Sequence, residues 1–78
     1  MGKSDIEILV SSDSEYEKLV VEFYFRGKFI ALLNQDDGLD HLKIEFAGPD
    51  LVEDKVLRKI DLATFEEALE LAKRTIRE

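Results

Sequence analysis

The fold turns on Leu19-Val20-Val21-Glu22-Phe23-Tyr24-Phe25-Arg26-Gly27-Lys28-Phe29-Ile30-Ala31-Leu32-Leu33. Leu19–Phe25 is rich in β-branched and aromatic residues, which suit a pleated, half-buried surface. Arg26-Gly27-Lys28 supplies a tight turn, because glycine reaches positive φ without a steric penalty. Phe29–Leu33 then returns as the partner strand, so the stretch reads as a hairpin. With a three-residue turn, Phe25 faces Phe29, Phe23 faces Ala31 and Val21 faces Leu33, one strongly apolar face. Tyr24, Ile30 and Leu32 fall on the other face, interrupted by Glu22. A two-residue turn shifts the partners by one and still leaves apolar residues on both sides.

The flanking segments extend the hairpin into a sheet. Asp5–Val10 alternates Ile6, Ile8 and Val10 against Asp5 and Glu7, the period of a half-buried strand. Ser11–Glu17 is polar and reads as a loop, and a second turn is expected at Asn34–Gly38. Leu42–Phe46 alternates again and stops at Gly48-Pro49. Lys55–Ile60 is expected to add a short edge strand. The C-terminal segment has helical spacing instead, with Leu62, Phe65, Leu69, Ala72 and Ile76 on one stripe. Asp61 is the expected N-cap, with Ile60 and Phe65 at the staple positions; Thr64 with Glu67 forms a rival capping box. Glu70 and Arg74 are spaced for an i,i+4 ion pair. The expected fold is a single α+β domain over residues 1–78: an antiparallel meander of four or five strands with one C-terminal helix on one face.

Composition narrows function mainly by exclusion. The chain has 78 residues, 45% hydrophobic and 37% charged, with 18 acids, 11 bases and a net charge of −7. Such a surface repels phosphate backbones and anionic headgroups, so neither nucleic acid nor a membrane is expected as a partner. No apolar run approaches the ~20 residues of a spanning helix. Met1–Asp5 has no apolar segment behind it, so no signal peptide is expected and a cytoplasmic location is the default. With zero cysteines, disulfides and thiol chemistry are excluded. The acidity is localised: residues 1–54 carry 13 acids and 5 bases, whereas residues 55–78 carry 5 acids and 6 bases.

The residues that could carry chemistry are few. His41, the only histidine, stands beside Asp40 and near Asp36 and Asp37, but no second histidine completes a zinc site. A metal-dependent enzyme built there is the least favoured reading; no cofactor and no catalytic residue is assigned. Glu7, Glu22 and Glu45 lie on strands and could share one face, as paired carboxylates or as a solvated side. One helix covers one face of a sheet, so the second face is closed either by Leu39, Leu51 and Val52 from the loops or by a partner. The favoured reading is a non-catalytic protein-binding module. Its surface consists of Tyr24, Ile30, Leu32 and Glu22, rimmed by Asp36, Asp37 and Asp40. The alternative is a structural homodimer whose sheet face is closed by its twin.

Tyr24–Ala31, with Gly38-Leu39 and Leu42–Pro49, looks like small bacterial proteins of uncharacterised function, some of which resemble the immunity proteins of bacterial toxin systems. The likeness spans residues 16–76. It implies a small acidic binder that blocks a toxin domain without a cofactor, and it transfers no functional position to this chain.

Overall fold

The computed structural model describes residues 5–48 and 53–78. Among these residues four strands, β1 (Ile6–Ser11), β2 (Val20–Phe25), β3 (Lys28–Asn34) and β4 (Lys43–Phe46), form one antiparallel sheet in the order β1-β2-β3-β4. Helix α1 (Leu62–Arg77) follows and packs on one side of it. This is the expected α+β meander. The fifth strand is not formed: Glu53–Lys55 is a 3-10 turn, and Val56 makes a single parallel bridge to Phe29. The Leu57 amide donates to the Phe29 carbonyl at 2.9 Å, which anchors this segment beside β3.

The central hairpin combines the two expected turn geometries. Phe25 pairs with Lys28, so the loop has two residues, Arg26 and Gly27. Both have positive φ, 52° and 82°, the requirement of the turn that matches the twist of a hairpin. The Arg26 guanidinium lies 5.0 Å from the centre of the Phe25 ring and 3.0 Å from the Asp5 carboxylate, which holds the non-glycine position of the turn in place. After Tyr24 and Phe29 pair, the register shifts, and Phe23 then faces Ala31 and Val21 faces Leu33. One residue of β3, Ile30, is left over as a β-bulge. The bulge recovers the facing pairs of a three-residue turn from a two-residue loop.

Helix α1 lies mainly over β1 and β2 and touches β3 less. Its buried face is Ala68, Ala72 and Ile76, with Phe65 and Leu69 partly buried. The two alanines are fully buried, and their small side chains let the helix backbone approach the sheet. Leu62, expected on the stripe, is 70% exposed. Asp61 is the N-cap residue, but its side chain makes no capping hydrogen bond; its carbonyl accepts from the Phe65 amide. Near the other end Glu70 pairs with Lys73 at 3.3 Å.

The core gathers Val21, Phe23, Ile30, Ala31 and Leu33 against the helix alanines and Ile76. Phe23 is completely buried and its ring meets that of Phe65 at 6.2 Å. Burying side chains of this size contributes roughly 1.5–3 kcal/mol each, so the hydrophobic term is concentrated in about half a dozen residues. Ile30 is 5% exposed within this cluster, which corrects its expected place on the opposite face. The bulge is the cause: the extra residue puts Ile30 and Ala31 together against the core.

Candidate functional site

The pairing register defines the face away from the helix. Glu7 and Leu9 of β1, Val20, Glu22 and Tyr24 of β2, Phe29 and Leu32 of β3, and Lys43 and Glu45 of β4 alternate onto it. Leu9, Glu22, Leu32 and Glu45 form one rung across all four strands. Two carboxylates therefore flank Leu32 with their Cα atoms about 10 Å apart, twice the strand spacing. Glu7 shares the face, as the alternation allowed.

One end of this face is closed. The loop between β1 and β2 is tied down by Asp36, whose carboxylate accepts from the Lys18 amide at 3.0 Å and the Glu17 amide at 3.3 Å. Gln35 donates to the Leu19 carbonyl at 2.9 Å. Val20, at this end, is only 1% exposed. Tyr16 reaches out of the same loop and donates its hydroxyl to Glu45 Oε1 at 2.8 Å. The second oxygen of Glu45 accepts from Asn34 Nδ2 at 2.5 Å, and Asn34 Oδ1 accepts from the Asp36 amide at 3.3 Å. One hydrogen-bonded chain thus runs from the loop to β4.

The remainder is an open groove of about 600 Å³. Leu32, Tyr24, Phe29 and Val56 give it an apolar base, and the Tyr24 and Phe29 rings meet edge-on at 5.7 Å across the strands. Among the described residues, Asp13, Glu15, Glu22 and Glu45 line it, against one cation, Lys55. Tyr24 donates to Glu22 Oε1 at 2.6 Å.

Both tyrosines hold their protons more strongly than usual. Tyr16 is pushed up to about 12, chiefly by its hydrogen bond to Glu45, with desolvation second. Tyr24 is also pushed up to about 12, first by burial and then by its bond to Glu22. A folded-state pKa above the ordinary 10 means that the protonated phenols favour the fold up to about pH 10. That contribution is lost as pH rises towards 12. These are the chain's only two tyrosines, so absorbance at 295 nm reads them cleanly. Both are expected to titrate near 12, with Tyr16 moving down in Glu45→Gln; a tyrosine ionising near 10 in the folded chain would contradict the arrangement.

The expected surface is only partly brought together. Tyr24, Leu32 and Glu22 share the groove. Ile30 is in the core. Asp36 is behind the loop, as the acceptor that fixes it. Asp37 pairs with Lys43, which holds the carboxyl below its usual range and raises the amine. Asp40 lies on the helix side of the sheet, beside Leu42, Ile44 and Lys73. Leu39 lines that same side with Leu33 and Leu69, so it does not fold over the far face. Leu51 and Val52 lie outside the described residues. The acids that do line the groove are Asp13, Glu15, Glu22 and Glu45. Tyr16 had one signal, as the single aromatic in the polar run SSDSEYE.

Chemically, the groove presents acceptors beside apolar area. Glu22 and Glu45 keep lone pairs beyond those taken by the tyrosines and Asn34, and they suit ammonium or guanidinium donors. Among the described residues, no three His, Asp or Glu side chains are grouped to hold a metal ion, and His41 is exposed on a 3-10 turn. No helix among them is long and apolar enough to cross a membrane. Comparison with known proteins finds no matching family, no similar curated protein and no similar solved structure.

Proposed function

We propose that the chain is a non-catalytic protein-binding module whose groove receives a basic segment of a protein partner. The carrying observation is the rung Glu22–Leu32–Glu45, an apolar side chain between two carboxylates at the base of an open groove. A lysine or arginine laid along it would pack its methylene stem on Leu32 and Phe29 and direct its charge to Glu22 or Glu45. Asp13 and Glu15 raise the local concentration of such a partner and speed its approach. Nucleic acid and anionic membranes carry the wrong charge for this surface. A basic toxin domain, the partner class implied by the resemblance to immunity proteins, has the right one.

The test places a photo-crosslinking residue at Leu32 and, as a control, at the exposed Leu62 of the helix. The expected adduct is with a basic protein, at position 32 alone. Binding of that protein should weaken at least tenfold in Glu22→Lys and fall with added salt, as counterion screening requires. Equal adducts at both positions, or binding indifferent to Glu22, would sink the reading.

A further inference from the structure

The β1 edge of the sheet contributes no residue to the groove. The Asp5 carbonyl accepts from the Arg26 amide at 2.9 Å, and Asp5 and Arg26 fall on the β1–β2 register. In an antiparallel ladder such pairs alternate. Glu7 and Leu9 therefore turn their backbone groups towards β2, and Ile8 and Val10 turn theirs outward. Among the described residues no strand lies on that side of β1. Two large apolar side chains on this strand are half exposed, Leu9 at 51% and Val10 at 50%, one on each face. An edge whose Ile8 and Val10 backbone groups point outward beside exposed apolar side chains is a template for another strand.

The sequence of the edge is complementary to itself. Antiparallel pairing of two copies needs a two-fold axis perpendicular to the sheet, which keeps like faces together and makes the contact isologous. With the axis at Leu9, Ile8 stands opposite the partner's Val10. Both have outward backbone groups, so the two symmetric pairs exchange four hydrogen bonds. The exposed Val10 is covered by the partner's Ile8, and Leu9 packs on its own copy. Glu7 falls opposite the partner's Ser11, which keeps carboxylates from facing each other; an axis at Glu7 would oppose them directly, at a cost. We propose that β1 pairs with β1 of a second copy of this chain in this register. The product is one eight-stranded sheet with both helices on one side and both grooves on the other.

The net charge of −7 on each copy opposes this association, so added salt should strengthen it. Light scattering across a dilution series of the full chain is expected to give twice the chain mass at high concentration, falling on dilution. Leu9→Lys sets two ammonium groups together on the axis, and Val10→Pro removes an outward donor. Each should weaken the dimer at least tenfold while the circular dichroism spectrum is unchanged, because both side chains are half exposed. The Ile8 and Val10 amides should exchange more slowly as concentration rises. A wild-type chain that stays monomeric to about 1 mM, the millimolar limit of weak association, would overturn the proposal. So would a dimer that persists in Leu9→Lys.

Discussion

Phe23→Ala is expected to remove most of the domain's stability. Phe23 is completely buried, it pairs across the sheet with Ile8 and Ala31, and its ring meets Phe65 of the helix. Truncating a core phenylalanine costs about 3–5 kcal/mol, since the transfer term is lost and a cavity remains. A small domain has a total stability towards the lower end of the 5–15 kcal/mol range, so most of it would go. Urea titration followed by circular dichroism reads the effect as a collapse of the midpoint. A loss below about 1 kcal/mol would mean that the helix does not close on the sheet through this ring.

The second large effect separates the two faces. Ile30→Lys puts a charge among Phe23, Ala31 and the helix alanines, where desolvation without a partner costs several kcal/mol. Leu32→Lys, two residues on, projects from the half-buried side of β3 into the groove and should change stability by no more than about 1 kcal/mol. Simple alternation gives both positions the same face and the same tolerance. The bulge makes them opposites. If both variants melt alike, the register shift between Phe23 and Tyr24 is absent.

That contrast shows what residue patterns carry and what they leave open. Strand and helix identities followed from period and propensity: Ile6, Ile8 and Val10 for β1, the aromatic run for β2, and the +3/+4 spacing for α1. The tertiary choices did not. Whether Arg26 or Lys28 closes the hairpin depends on Arg26 accepting positive φ, and nothing local in Ile30 marks it as the bulged residue. Lys55–Ile60 had strand composition, but β4 already takes the edge of β3 from Ala31 to Asn34, leaving only Phe29 for Val56. Leu62, the first residue of the stripe, stays exposed although Phe65 and Ile60 on either side of it pack on the core.

The residues lining the candidate groove were legible only in part. Tyr24, Glu22 and Leu32 followed from the excess of apolar hairpin residues over what one helix covers. The expected acidic rim is Asp36, Asp37 and Asp40. Their roles were decided by distant partners instead: Asp36 holds amides 18 and 19 residues away, and Asp37 holds Lys43. Glu45 entered the groove because β4 pairs with β3 in a register that sets it beside Leu32. Asp13 and Glu15 entered because their loop folds back onto the sheet.

The two proposed associations should respond to salt in opposite ways. Binding of a basic segment in the groove is expected to weaken as ionic strength rises, while edge pairing of two acidic copies is expected to strengthen. A single salt series therefore separates them without a variant.

On the proposed function, the face opposite the helix binds the partner. Crosslinking from position 32 tests it most directly, run in parallel with position 62 and with the Glu22→Lys background. The expected result is a basic protein joined at position 32, absent at 62 and diminished at least tenfold by the charge reversal. The same protein joined through position 62, with none at 32, would contradict it.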